Sequence, residues 1–325
     1  MKISVILCTY NRHGSLARAL ESVAASIVPE PIQWEVLVVD NNSKDATRET
    51  IEEYCRRYPD RIRYFFEPRQ GKSYALNTGI REATGEVIAF MDDDVTVEPT
   101  WLQNLTKPLQ NGLYMGSGGQ ICAPRGVVLP PWIALGGPCS LAGVLALFDR
   151  GPVPIELSDP PYGTNMAFRK EVFEKYGVFR TDLGPSVSSE IRGEDTELCL
   201  RLMKSGIPLL YTPTAIVYHE VPGKRLEKGY FLKWYFDYGR AFIRTRPRRP
   251  DVGVIPRAII GITNHLLIML PQKTFQWMLT AGATERFYAK TQVWKVAGEM
   301  AEIYNQWSSS RASQKVAKSH ALSQE

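Results

Sequence analysis

The sequence predicts an α/β fold in which a mostly parallel sheet is covered by helices on both faces and is followed by a C-terminal helical extension. The first 120 residues alternate short apolar runs with segments of helical periodicity, which indicates consecutive strand–helix–strand units. The apolar runs are continuous, as is typical of strands that are buried on both faces. A hydrophobic fraction of 44% and a charged fraction of 22% are those of a folded globular protein.

Each predicted element has its own signal in the sequence. The strands are predicted from runs of aliphatic and β-branched residues, at residues 3–8, 35–39, 62–66, 87–91, 165–168 and 216–218. The helices are predicted from apolar residues spaced by three and four, at residues 16–23, 45–58, 71–83, 170–176 and 197–204. Residues 112–161 are rich in Gly and Pro, so we expect a looped connection there.

The chain length of 325 residues favours one large domain or one domain with an appendage. We predict a main α/β domain over residues 1–222, a basic and aromatic helical region over 223–307, and a disordered, Ser-rich tail over 308–325. Residues 224–257 hold ten Lys or Arg and three acids, a local charge of +7, so the rest of the +5 chain sums to −2. Because the basic charge is confined to this region, the sequence argues against a nucleic-acid-binding protein.

The cysteines and the N-terminus both indicate a reducing compartment. No two of the five cysteines have CxxC spacing, and their apolar surroundings favour reduced thiols over disulfides or zinc ligands. The N-terminus enters an apolar strand almost at once, without a basic-then-apolar leader. We therefore expect a cytoplasmic location.

Three consecutive carboxylates, Asp92, Asp93 and Asp94, follow the fourth predicted strand. Hard divalent cations bind carboxylate oxygens and complete their shell with water and a substrate's phosphates. The run therefore predicts a metal–diphosphate site, with a solvated acidic turn as the alternative. Thr9, Asp40 and Asp92 each end a predicted strand, and parallel sheets bind ligands at that edge. Their convergence favours the site.

Segments next to these strand ends carry groups suited to a nucleotide. Tyr10 can stack on a base, Arg12 can contact a phosphate, and Asp40 can accept hydrogen bonds from a base or a ribose. Lys72 opens a predicted helix, where the free N–H groups and the dipole favour an anion, although the spacing is not that of a P-loop. The alternatives are ordinary strand-to-helix turns, in which Asn11 tolerates an unusual backbone angle.

Two later segments suggest catalysis and metal binding. Glu194 and Asp195 lie at a loop-to-helix junction, where a carboxylate is well placed as a general base. The alternative is that Asp195 only caps the helix. His219 follows the last predicted strand, and a neutral imidazole is a common metal ligand, although a structural role is the alternative.

Taken together, these segments resemble the family 2 glycosyltransferases of the GT-A fold, which transfer sugars from nucleotide sugars with inversion. The resemblance runs from about residue 3 to residue 220, with motifs at residues 5–12, 38–45, 71–79, 90–95, 163–169 and 193–198. It implies that residues 1–222 are the catalytic domain. One departure is Leu76, since many members carry an arginine there and Lys72 would have to supply the charge.

The resemblance also implies how a nucleotide sugar is bound. Thr9 and Asp40 would hold the uracil, and Asp92 and Asp93 would face the ribose and the sugar. The remaining candidates for donor binding are Tyr10, Asn11, Arg12, Lys72 and Asn77.

The resemblance further implies a metal-assisted reaction. Asp94 would bind Mn²⁺ or Mg²⁺, with Asp92 and His219 as further candidate ligands. Asp195 would remove the proton of the acceptor hydroxyl in a single displacement, and Glu194 would support it or contact the acceptor.

The implied partners are a nucleotide sugar donor, expected to be UDP-linked, and a glycan or lipid-linked acceptor. The alternatives are a sugar nucleotidyltransferase, which would show a Gly-rich, Arg-containing loop after the first strand, and a catalytically silent scaffold that binds nucleotide sugars.

The C-terminal region has its own pattern. Aromatic and basic residues share helical spacing over 231–244, a basic break follows at 246–250, and an apolar run at 252–270 is interrupted by Arg257 and His265. These patterns favour a peripheral contact with an anionic membrane surface, such as the inner face of the cell membrane. Packing on the catalytic domain, homodimer contacts and a membrane span are the alternatives.

Overall fold

The computed structural model describes residues 1–186, 191–246 and 254–322, and only the backbone at 254–257 and 310–322. The chain forms two compact units. The first contains Met1–Val128 and Leu145–Pro222, and the second contains Leu129–Val144 and the chain from Gly223 onward. The sequence places residues 129–144 in the first domain. They belong instead to the second unit, because Trp132 packs its ring 5.0 Å from Phe231 and 4.7 Å from Phe287, centroid to centroid.

The first unit alternates strands and helices, as predicted. Its first half contains β1 (Lys2–Thr9), α1 (His13–Ala24), β2 (Gln33–Asp40), α2 (Thr47–Arg57), β3 (Ile62–Phe66), α3 (Lys72–Glu82) and β4 (Val87–Asp92). Its second half contains β5 (Val95–Val97), α4 (Trp101–Thr106), β6 (Gly116–Cys122), β7 (Ile155–Glu156), β8 (Met166–Arg169), α5 (Glu171–Tyr176), α6 (Glu194–Lys204) and β9 (Leu209–His219).

One mixed sheet organises the first unit, in the order β3-β2-β1-β4-β8-β6-β9-β5, with β7 paired to β9. Strands β1 to β4 pair with one another in parallel, whereas β8 runs antiparallel to both β4 and β6. Helix α1 buries Leu16, Leu20 and Val23, whose helical spacing predicted it. The α/β class is confirmed, and the antiparallel pairings lie in the half of the sheet beyond β4.

Strand β6 lies inside the segment for which the sequence predicts a loop. It has three glycines in seven residues, and glycine is a poor strand former. Close packing explains their presence, since a Cβ on Gly119 would clash with the Ala215 carbonyl oxygen and the Asn165 amide. The prediction of a continuous loop over residues 112–161 is therefore wrong at this strand.

Two boundaries also differ from prediction. Helix α6 begins at Glu194, three residues before the predicted start, because Gly193 takes the left-handed conformation at φ 106° and turns the chain into the helix. Strand β9 covers Leu209–His219, whereas the sequence predicts a strand of only three residues there. The prediction is too short because Pro213 and uncharged polar residues interrupt the apolar run.

The second unit is helical. It contains α7 (Lys228–Thr245), α8 (Val254–Asn264), a π-helical stretch (His265–Met269), α9 (Leu270–Leu279) and α10 (Ala283–Leu322). Helix α7 buries Phe231 and Tyr235, and its Arg244 Nε donates to Glu302 of α10 at 2.7 Å. The aromatic and basic residues of this helix therefore serve largely in packing.

Helix α10 continues to Leu322, so its backbone is helical over most of the predicted disordered tail. Residues 308–322 contain no Gly or Pro and several good helix formers, which explains the difference. Residues 247–250 of the predicted basic break lie outside the described residues. Within the described ranges, no helix is both long and apolar enough to cross a membrane.

Candidate active site

The ends of β1, β2 and β4 meet at one edge of the sheet. Thr9 pairs in register with Asp40, and Cys8 pairs with Asp92. The predicted convergence of the three strand ends is therefore confirmed. Since these are the carboxyl ends of parallel strands, they form the edge at which such sheets bind ligands.

The three carboxylates after β4 have different partners. Asp92 Oδ1 accepts a hydrogen bond from Lys72 Nζ at 2.5 Å. Asp93 accepts from Thr9 Oγ1 at 2.7 Å and from the Arg12 guanidinium at 3.0 Å. The same Arg12 nitrogen donates to Asp94 at 2.9 Å. The acidic run is therefore a charge-compensated cluster, in which Asp93 and Asp94 are buried and Asp92 is partly exposed, rather than a solvated turn.

Burial dominates the electrostatics of the cluster. Asp93 is 5% exposed, and burial raises its pKa to about 6 despite the opposing charge of Arg12. Burial disfavours the charge of Arg12, but Asp93 and Asp94 outweigh it and raise the pKa of the guanidinium. Arg12 is thus the cation that compensates the charge of Asp93 and Asp94.

His219, the last residue of β9, brings an imidazole to this cluster. The antiparallel pairing of β5 with β9 sets Val95 opposite His219, and His219 Nε2 lies 3.5 Å from Asp94 Oδ1. Both side chains are buried. One carboxylate and one imidazole are suitable ligands for Mn²⁺, with water and phosphate oxygens completing the shell.

The protein therefore offers a divalent metal ion two ligands rather than a complete coordination shell. Within the described ranges, no group of three His, Cys, Asp or Glu side chains is arranged to hold a metal. Asp92, predicted as a further ligand, has Oδ1 bonded to Lys72. The donor set fits a cation that takes most of its remaining ligands from a substrate.

Lys72 links the acidic run to the predicted base. It begins α3, and its ammonium lies 2.5 Å from Asp92 and 3.8 Å from Glu194. Burial disfavours its charge, yet Asp92 and Glu194 raise the pKa of Lys72 above its ordinary value. The sequence predicts a phosphate contact, whereas in this structure the ammonium joins two carboxylates from different elements.

Glu194 and Asp195 face different surroundings at the start of α6. Glu194 is 4% exposed, and burial, together with the charge of Asp195, raises its pKa to about 7. Asp195 is half-buried and accepts from the Gly163 N–H at 2.8 Å and from the Thr196 N–H at 2.7 Å. These backbone donors fix the Asp195 carboxylate while leaving it partly open to a ligand.

The β2 end is the place where the sequence predicts a contact with a nucleobase. Asp40 is 2% exposed and accepts from the Ser43 N–H at 2.9 Å and from Tyr64 Oη at 3.4 Å. Asn11 adopts a positive φ of 51°, and its Oδ1 accepts from the Lys44 N–H at 2.7 Å. Tyr10 beside it is 36% exposed, which leaves its ring accessible for stacking.

Sequence reasoning missed some residues that position the site. Asn41 donates to the carbonyls of Glu67 and Arg69 at 3.2 and 2.7 Å and accepts from the Gly71 N–H at 2.8 Å, which fixes the turn into α3. Its place directly after a strand was the available signal. The Asn77 amide bonds at both ends to the backbone of Phe179, so its observed role is to support that loop.

Replacing Glu194 with glutamine is expected to raise the melting temperature at pH 8, and by much less at pH 5. The folded pKa of about 7 lies above the reference value of 4.5, so between these values the folded state holds more protons. The free energy of unfolding therefore falls as pH rises through this window, and glutamine removes that dependence. Thermal melts at both pH values measure the difference. Glu197→Gln, at an acid that pairs with Arg201 on the same helix, is the control. An equal effect of Glu194→Gln at both pH values would contradict the raised pKa.

Two solved structures share the fold of this chain. The mannosyltransferase PcManGT from Pyrobaculum calidifontis, solved with GDP-Man and Mn²⁺, matches with a TM-score of 0.55 and 19% identity over 99% of this chain and 80% of that one. GalNAc-T7, solved with UDP, GalNAc and Mn²⁺, matches with a TM-score of 0.55 and 18% identity over 76% of this chain and 52% of that one. The fold is that of the GT-A glycosyltransferases.

The chain belongs to glycosyl transferase family 2, whose family model matches residues 4–177. Glucosyl-dolichyl phosphate glucuronosyltransferase from Haloferax volcanii is 29% identical over 234 residues, which are 70% of this chain and 72% of that protein. The succinoglycan biosynthesis protein ExoM from Rhizobium meliloti is 29% identical over 241 residues, or 74% of each chain. The protein is therefore a glycosyltransferase enzyme, as the sequence motifs predict.

Proposed function

We propose that the protein transfers a sugar, with inversion, from a nucleoside diphosphate sugar to a hydroxyl of a lipid-linked or glycan acceptor. The observation that carries the proposal is the joining of three elements at one sheet edge by Lys72, which lies between Asp92 of β4 and Glu194 of α6. Lys72 therefore links Asp92, on the expected donor side, to Glu194, on the expected acceptor side.

The donor is held along the carboxyl ends of β1, β2 and β4. Tyr10 stacks on the base, Thr9 and Asp40 contact the uracil, and Asp93 faces the ribose and sugar. A diphosphate arriving at this edge offers Arg12 a third anionic partner beside Asp93 and Asp94.

Asp94 and His219 are the residues that would hold a divalent metal ion. When bound, the ion neutralises charge on the departing diphosphate as a Lewis acid. The protein's own cations, Arg12 and Lys72, add to this neutralisation from the two flanks of the acidic run.

Asp195 is the general base in this proposal. Its carboxylate is fixed by the Gly163 and Thr196 N–H groups, and it takes the acceptor proton as the acceptor oxygen attacks the anomeric carbon. The buried Glu194 beside it tunes the charge at the junction and holds Lys72 in place.

The acceptor class is drawn from the relatives. Besides the glucuronosyltransferase, a dolichol-phosphate mannosyltransferase from Pyrococcus furiosus is 29% identical over 59% of this chain. Both names describe lipid-phosphate substrates, which supports a lipid-linked acceptor here. The succinoglycan relative supports a role in polysaccharide synthesis, in which a glycan acceptor serves.

A donor panel tests the proposal. UDP- and GDP-sugars are each incubated with Mn²⁺ and a polyprenyl-phosphate or polyprenyl-diphosphate glycan acceptor, and the nucleoside diphosphate released is measured. We expect acceptor-dependent release from one donor, with a UDP-sugar as the first choice. Pyrophosphate as the product would indicate a nucleotidyltransferase, and the absence of both turnover and donor-dependent thermal shift would contradict the proposal.

A further inference from the structure

Helices α8 and α9 and the π-helical stretch between them expose a group of large apolar side chains, here called the α8–α9 face. Its members are large apolar side chains that are each at least half exposed: Ile259, Ile260, Leu266, Leu267, Ile268, Phe275, Met278 and Leu279. Single exposed apolar residues need no explanation, but eight of them within 21 consecutive positions indicate an interaction surface.

The opposite side of α8 and of the π-helical stretch that follows it is packed, whereas α9 buries no residue. Ala258 and His265 are each 5% exposed. His265 Nε2 lies 2.8 Å from Glu299 Oε2 of α10, and its Nδ1 lies 2.8 Å from the Gly261 carbonyl oxygen. These buried contacts hold the inner side against α10 and leave the apolar side facing outward.

The segment that carries the α8–α9 face contains basic residues and no acids. No Asp or Glu occurs from residue 252 to residue 284, whereas Lys273 lies within the face's own helix. Lys290 Nζ lies 5.3 Å from the ring centroids of both Trp277 and Trp294. Amphipathic Trp and Lys side chains beside an apolar surface are typical of the boundary between lipid headgroups and acyl chains.

We propose that the α8–α9 face inserts, parallel to the membrane plane, into the interfacial region of an anionic lipid bilayer. Since no described helix is both long and apolar enough to cross a membrane, an in-plane position fits the element. Such helices bury their apolar side about 5–10 Å into the boundary between headgroups and acyl chains, while cations beside it contact anionic headgroups. This role does not depend on the transfer reaction, although it would bring the enzyme to the surface in which a lipid-linked acceptor resides.

A second copy of the chain fits the α8–α9 face less well than an anionic bilayer does. A two-fold interface applies the same patch to itself, so Lys273 and the neighbouring cations would meet their own equivalents without any acid from this segment. Like charges brought together in an apolar interface are unfavourable, whereas anionic headgroups neutralise them.

Sedimentation with vesicles tests the proposal on the full chain. We expect wild-type protein to sediment with phosphatidylcholine vesicles that contain about 30% phosphatidylglycerol, and less with pure phosphatidylcholine, since anionic lipid adds attraction for cationic side chains. The variant Ile260→Glu/Leu267→Glu/Phe275→Glu is expected to lower the partition coefficient at least about tenfold. The control is Leu113→Glu/Val128→Glu/Val153→Glu, at exposed apolar residues elsewhere, which makes the same charge change and should leave binding within about twofold.

The results of these experiments distinguish a lipid bilayer from a second copy of the chain as the partner of the α8–α9 face. Absence of wild-type sedimentation with anionic vesicles would overturn the proposal, as would equal losses in both triple variants. A wild-type dimer in light scattering without lipid, converted to a monomer by the α8–α9 variant, would assign the face to a second copy. The Asp195→Asn variant should bind vesicles like wild type. Vesicle binding can therefore be judged even if the proposed sugar transfer is not observed.

Discussion

Replacing Asp195 with asparagine is expected to lower the rate of sugar transfer by about 10²–10⁴-fold, the usual effect of losing a general base. Nucleotide affinity should stay nearly unchanged, because the Asp195 carboxylate accepts hydrogen bonds from the Gly163 and Thr196 backbone and from none of the residues assigned to the nucleobase or the diphosphate. Transfer rates and the thermal shift with UDP or GDP measure the two effects separately.

The control for this variant is Glu197→Gln, which removes an acid from the same helix at its partly buried pair with Arg201. Arg201 has no assigned role in the donor, metal or acceptor sites, so activity should be retained. Asparagine has one acceptor oxygen where Asp195 uses two, so the melting temperature must also be compared. Wild-type transfer by Asp195→Asn would remove the base assignment.

Chelation of divalent metal with EDTA is expected to abolish transfer, and added Mn²⁺ or Mg²⁺ is expected to restore it. Asp94→Asn should raise the metal concentration for half-maximal activity at least about tenfold, since even partners of metal ligands have effects of that size. Direct titration of Mn²⁺ by electron paramagnetic resonance, with the nucleoside diphosphate present, gives a second reading that does not rely on turnover.

Asp159→Asn is the matched control for the metal variant. Asp159 pairs with Arg150 in an exposed ion pair outside the acidic run, so the same chemical change should leave the metal requirement unaltered. Full activity in thoroughly chelated buffer, or the same Mn²⁺ affinity in Asp94→Asn and wild type, would remove the metal role from Asp94.

The first four strands and the meeting of their ends were predictable because the signals are local. Each strand is a continuous apolar run, and a parallel sheet brings the carboxyl ends of such runs to one edge. The placement of Thr9, Asp40 and Asp92 therefore followed from the sequence, and the register bears it out. The acidic run could be located in the same way.

The partners of these side chains were not predictable, because they depend on long-range packing. Lys72 and Arg12 were expected to contact phosphates, whereas in the structure they pair with the carboxylates of the acidic run. Strand β6 was missed since its glycines reflect the close approach of Ala215, which lies far away along the chain. Likewise, spacing alone could not separate packed α7 from the exposed side of α8 and α9, as both carry apolar residues at helical intervals.

The anomeric configuration of the product tests the central claim most directly. The donor and acceptor identified in the panel are reacted with wild-type enzyme, and the anomeric proton of the new linkage is followed by NMR from the first turnovers. A single displacement with Asp195 as base predicts the opposite configuration to that of the donor. Retention of the donor's configuration would contradict the account, because it requires two displacements or a different nucleophile.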